Sequence, residues 1–254
     1  MKNYNLLKLA GLTFLVTLFL FSCNNEQHPK TAESPAEKKG GMGLVGYWAN
    51  ANWWQALKET KSPMKAAAFA EISFAHIYQD SSQLVADVVY NWHEGMQYWL
   101  QPNDSKFDLI NPYDKVKTHE IVLQPDGSAR LDTFTFIQID MGKNEDPSKA
   151  AAARVLGGTY VVNGTSAQVV FNEDGTITGL DDYKTYNILT DYVTDEIGSD
   201  QLMLDRGNDQ PDFYAFKIEG NQLTISFIEQ DESVKAAPVY KVGKPKMLLT
   251  KSGQ

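Results

Sequence analysis

The chain has 254 residues, with 32 acidic against 23 basic side chains, a formal net charge of −9 and a single cysteine. An acidic chain without a basic run speaks against nucleic acid and against an anionic membrane surface as partners. One cysteine excludes an internal disulfide, a CxxC redox motif and a cysteine-rich zinc site.

Residues 1 to 22 read as a targeting segment: Lys2 and Lys8 form a sparse positive end, and Leu6 to Phe21 is a mostly apolar run too short and too N-terminal for a permanent span. It ends in Leu20-Phe21-Ser22-Cys23, which resembles the lipobox of bacterial lipoproteins. That resemblance implies cleavage before Cys23 and acylation of its thiol and new amino group. Several acyl chains, at about 0.8 kcal/mol per buried methylene, hold a protein stably on a bilayer. Asn24 stands where an inner-membrane retention signal would carry Asp, so the resemblance favours the outer membrane and leaves the leaflet open. Residues 23 to 41 are polar, with two prolines and no apolar period, and read as a disordered tether. Losing Lys2 and Lys8 leaves 21 basic against 32 acidic residues, −11, so the expected membrane contact is the lipid.

From residue 42 to 254 the pattern is mostly β. Gly43 to Asn50 is a short apolar strand carrying Gly46-x-Trp48. Two short helices follow, the first capped by Asn50 or Asn52, the second by Ser62 with Pro63 at its first position. Glu71 to Gln79 alternates with Ile72, Phe74, His76 and Tyr78 on one face, and Leu84 to Trp92 with Leu84, Ala86, Val88, Tyr90 and Trp92 together. Met96 to Leu100 continues as a strand. Residues 101 to 118 read as a loop with one strand near Phe107 to Ile110. His119 to Gln124 turns at Pro125-Asp126-Gly127 into Ala129 to Ile139. Met141 to Ala153 reads as a connector or short helix capped by Asp146 or Ser148, and a split into two β units near 141 to 154 stays open.

The second half opens with Val155 to Val162 and repeats the hairpin grammar. Gln168 to Asn172 turns at Asp174-Gly175 into Thr176 to Leu180. Gln201 to Asp205 runs to Asn208, Phe213 to Glu219 turns at Gly220-Asn221 into Leu223 to Glu229, and Val239 to Val242 and Met247 to Leu249 are closing strands. Strands recurring every 8 to 12 residues predict a barrel or sandwich.

Gly46-x-Trp48 followed by a short helical segment is similar to the opening of lipocalins and other calycins. Phe171 to Ile177, Asp205 and the run Tyr214 to Ile225 likewise resemble the lipocalin-like lipoproteins of Bacteroidota-type bacteria. The resemblance implies an antiparallel up-and-down barrel with one or two short helices after the first strand, its end plugged by Trp48. Lipocalins also carry an Arg near the last strand over that Trp; here only Arg130, Arg154 and Arg206 exist, none near the C-terminus.

All five tryptophans, Trp48, Trp53, Trp54, Trp92 and Trp99, lie in the first half among Phe74, Tyr78, Tyr90 and Tyr98. As pocket lining, Trp48, Phe74, Tyr78, Tyr90, Trp92 and Tyr98 would hold a small apolar or amphipathic guest; as core, they simply fill a barrel. His76, His93 and His119 have no HxH or HExxH spacing, and adjacent residues such as His119 and Glu120 point to opposite faces of a strand, so no metal site is expected. Asp205 to Asp212 does not reproduce a calcium loop, and no cofactor is implied. There is no Gly-x-Ser-x-Gly elbow, Walker loop, dinucleotide fingerprint or Ser-x-x-Lys. Paired carboxylates for glycoside cleavage stay open, since their separation belongs to the fold. The sequence therefore favours binding over catalysis: a lipid-anchored envelope protein holding a small ligand in a barrel, or a filled barrel that binds another envelope protein.

Overall fold

The computed structural model describes residues 43–141, 146–193, 195, 197–208, 210–234 and 238–253. The targeting segment, Cys23 and the tether lie outside these. All described residues belong to one compact unit, Lys39–Gln254.

The first half is an eight-stranded antiparallel meander: β1 (Gly46–Asn50), β2 (Phe74–Asp80), β3 (Gln83–Tyr90), β4 (Glu94–Asn103), β5 (Lys106–Ile110), β6 (Lys117–Leu123), β7 (Ala129–Leu131) and β8 (Phe134–Ile139). It closes into a barrel because β8 returns to β1, with Tyr47 opposite Ile139 and Asn50 opposite Phe136. Closure leaves no unpaired sheet edge. This is the mostly β, antiparallel barrel with helices after the first strand, compatible with a lipocalin-like fold.

Asn50 explains how strand gives way to helix. Its side chain accepts the N–H groups of Asn52 at 3.0 Å and Trp53 at 3.3 Å, starting α1 (Ala51–Thr60), while its Nδ2 donates to Ile72 O at 2.9 Å. One buried amide thus satisfies two orphan donors of the helix and ties it to the approach of β2. Lys61, in the left-handed region at φ 53°, ends α1. Ser62 caps α2 (Pro63–Ala66), and a 3₁₀ turn at Ala67–Phe69 leads into β2.

α3 (Pro147–Leu156), capped by Asp146, leads to a second meander. Its strands are β9 (Gly158–Val162), β10 (Gln168–Phe171), β11 (Ile177–Thr178), β12 (Thr185–Ile188), β13 (Asp200–Asp205), β14 (Asp212–Glu219), β15 (Gln222–Gln230) and β16 (Tyr240–Lys251). Its order runs β11-β10-β9-β16-β15-β14-β13-β12, and the two edge strands meet at a single bridge, Thr176 to Thr185. Ile177 N–H donates to Lys184 O and Tyr186 N–H to Gly175 O across that seam, both at 2.9 Å. The strand sequence of the first barrel is therefore repeated, with a thin seam in place of full closure.

Several expectations need correction. Residues 101 to 118 do not loop out: β4 and β5 form a hairpin through Asp104-Ser105, with Asp104 at φ 53°. Ala129 to Ile139 is two strands, because Asp132 at φ 51° makes a tight turn without glycine. β12 lies where no strand was expected: its residues Thr-Tyr-Asn-Ile alternate, but the run is too short to signal a strand. The two closing strands are one, β16, in which Pro245 sits opposite Ser226 at a bulge where a missing N–H breaks no regular ladder.

Two cores form. The first fills the first barrel, with Trp48, Ile77, Val88, Leu109, Leu131 and Phe136 each at most 1 % exposed. The second joins the interior of the second meander to Trp53 and Leu57 of α1, Ala66 of α2, and Ala151, Val155 and Leu156 of α3. The helices inserted in the first barrel's first connection are thus packed into the second meander's core. They form a joint.

Candidate functional site

The six aromatic residues singled out from the sequence fall on two sides of the first barrel. Trp48, Tyr98 and the half-buried Tyr90 belong to its interior, where Trp48 is fully buried and its Nε1 donates to Leu44 O at 2.7 Å. Phe74, Tyr78 and Trp92 do not face that interior: β2 turns Ala75 and Ile77 inward and Phe74, His76 and Tyr78 outward, and β3 ends at Tyr90, leaving Trp92 in a turn at φ 58°. Alternation assigns residues to a common face without saying which face is inside. The outward residues form a column of rings, Tyr47 on His76 at 4.1 Å and His76 on Tyr78 at 4.9 Å. The column continues through Phe74 and Trp92 to Trp53 in the joint. The Nε1 of Trp92 is buried there without a hydrogen-bond partner.

At the end of the barrel that carries the helices, sequence reasoning missed a polar array. Tyr98 and Tyr90 hydroxyls lie 2.9 Å apart, Tyr90 is 2.9 Å from His119 Nε2, and His119 Nδ1 is 2.6 Å from Asp132. A carboxylate only accepts, so Nδ1 carries a proton towards Asp132, and in the neutral imidazole Nε2 accepts from Tyr90. Burial, then the bond with Tyr98, pushes the Tyr90 phenol well above its ordinary value, so it stays a donor and not a nucleophile. The array satisfies the polar tips of aromatic core residues. Nothing in the sequence places His119, flanked by Glu120, against Asp132.

The second meander holds its own array. Arg206 donates to Asp182, Asp212 and the Tyr183 hydroxyl, and stacks on the Tyr183 ring at 4.2 Å. These acidic turn residues are occupied by an arginine, and among the described residues no group of three His, Cys, Asp or Glu side chains is arranged to hold a metal.

The joint carries the polar contacts between the two β units. His93 Nδ1 meets Asp191 at 2.7 Å, Lys61 Nζ donates to Arg154 O at 2.8 Å, Arg154 Nε donates to Trp54 O at 3.1 Å, and Asp200 accepts the Met64 N–H at 2.9 Å. Burial raises the Asp200 carboxyl above its usual range, against the lowering effect of the Met64 and Ser62 hydrogen bonds. Beside these contacts a cleft of about 450 Å³ opens between Thr60–Lys65 and the outer face of β13 to β16. Its lining mixes apolar Met64, Ala215 and Val242 with charged Lys61, Lys65, Asp200, Lys217 and Glu219.

No protein family matches the chain, and neither a curated protein nor a solved structure matches it.

Proposed function

We propose that this is a lipid-anchored, non-catalytic protein of the bacterial outer membrane that binds a small amphipathic molecule, with the joint cleft as its site. The single observation that carries the reading is the cleft itself. Its volume lies within the usual range for ligand sites, and its lining of apolar, basic and acidic side chains suits a guest of mixed character. The barrel interior is a poorer location, because Trp48, Ile77, Val88 and Phe136 already fill it. The anchor rests on the lipobox at Cys23.

Native mass spectrometry of the full chain, purified gently from its envelope fraction, tests the reading. A reproducible small mass is expected on the wild type and is lost from Val242→Trp, a rim substitution at a residue 47 % exposed that fills the cleft without touching a core. An unliganded wild type, or a ligand retained by the variant, contradicts it. A second reading, a scaffold that binds another envelope protein, is favoured by the solid packing of both interiors together with exposed Phe213, Phe227 and Tyr240; a co-purifying protein without a small mass would select it. Labelled palmitate should enter the wild type and not Cys23→Ser.

A further inference from the structure

Three half-buried cations converge where α3 ends. Lys61 Nζ donates to Arg154 O and Lys251 Nζ to Gly157 O, each at 2.8 Å, so two ammonium groups sit on carbonyls of the last turn and C-cap of one helix, and the Arg154 side chain leaves the same turn with its Nε on Trp54 O. Arg154 lies over the Trp54 ring at 4.5 Å, and Lys251 stands 5.6 Å from the Tyr160 ring. Among the described residues none of the three is ion-paired with a carboxylate; unlike exposed lysines that water can solvate, they share one half-buried place. This occurs in a chain of net charge −9, where acidic partners are abundant.

Capping of the helix would explain one cation. A helix C-terminus offers about half a negative charge, and each cation–π contact about 0.5 to 1 kcal/mol at exposed sites, which leaves most of three positive charges uncompensated. The repulsion is felt locally: burial, then Lys251, Arg154 and Lys58, holds the Lys61 ammonium below its ordinary value. Natural proteins seldom gather like charges in a half-buried place without a counter-ion.

We propose that Lys61, Arg154 and Lys251 form a site for a phosphate-type dianion. Three terminal oxygens can meet three separate donors, one of them a guanidinium fork, where a carboxylate has only two oxygens. Lys61 also lines the joint cleft, so a phosphomonoester held here can extend an apolar body past Met64 towards Val242. This extension rests on the cleft reading; the anion site does not.

Calorimetric titration of the full chain in detergent with inorganic phosphate, at ionic strength matched with chloride, tests it. Saturable binding to one site is expected, weakened about tenfold or more in Arg154→Gln and in Lys251→Gln, the size of one lost charged hydrogen bond. Without phosphate, Lys251→Gln should melt no lower than the wild type, because it relieves repulsion, and phosphate should raise the wild-type Tm alone. Absent saturation, unchanged affinity in both variants, or a lower Tm for Lys251→Gln with no change in phosphate affinity would overturn the site and leave the cations as helix caps. Val242→Trp should bind phosphate as the wild type does, so an empty cleft in native mass spectra with Lys251-dependent phosphate binding removes the cleft reading and keeps this one. Comparing phosphate with a short-chain phosphatidic acid assigns the source: tighter binding of the acyl form indicates a ligand with a body in the cleft, equal binding a free anion.

Discussion

Trp48 has no exposed surface and an indole N–H committed to Leu44 O, so its removal empties the barrel and orphans a buried carbonyl. Trp48→Ala is expected to cost about 3 to 5 kcal/mol, read as a fall in the denaturant midpoint; an unchanged midpoint would contradict its role as the plug. Gly46, two residues earlier, stands at φ 137°, and a Cβ there would lie 2.5 Å from Gln138 Nε2. The Gly-x-Trp triplet thus combines a backbone need and a packing need, which is why it was legible. The second meander opens in the same way with Gly158-x-Tyr160, Gly158 standing at φ 128°. In the second meander it is Lys251 of the last strand that stands near this ring, 5.6 Å from the Tyr160 centroid. His93 offers a pH test at the same scale. Its hydrogen bond to Asp191 raises its pKa above 6.5, so its stabilisation is full below about 6.5 and is lost as pH rises through the raised value. Burial opposes ionisation of Asp191, but the hydrogen bonds from His93 and the Val193 N–H, with the His93 charge, together outweigh it and lower its pKa below 3.8, so the pair also weakens as pH falls below about 4. An NMR titration should return the His93 pKa towards about 6.5 in Asp191→Asn; no change would mean the contact does not persist in solution.

At the scale of elements, α1 and α2 and most hairpins were readable because local chemistry specifies them. Asn50 and Ser62 cap as expected, Asp126-Gly127 turns β6 into β7 with Gly127 at φ 84°, and Asp174-Gly175 and Gly220-Asn221 turn where expected. What failed was non-local. Which face of β2 looks inward depends on barrel closure, and the Tyr90–His119–Asp132 array and the Lys61–Arg154–Lys251 cluster join residues that no spacing rule connects. α1 itself carries a role its sequence does not announce, since Trp53 and Leu57 serve the core of the other β unit. Leu57→Ala should cost about 2 to 5 kcal/mol although it lies outside every strand; a loss below about 1 kcal/mol in denaturant melts would show that the joint is not packed as described.

For the whole molecule, two eight-stranded meanders share one helical joint, and the second core includes residues from the first barrel's opening connection. The units should therefore unfold together, as one calorimetric transition, whereas independent barrels would give two. The same joint makes the cleft, so ligand binding and the relation between the β units are properties of one place. The most direct test of that account is a crystal structure of the protein purified gently from its own membrane. The account predicts density for a non-protein molecule between Thr60–Lys65 and the outer face of β14 and β15, with its anionic end at Lys61. A clear cleft accompanied by ligand density inside either barrel would contradict it.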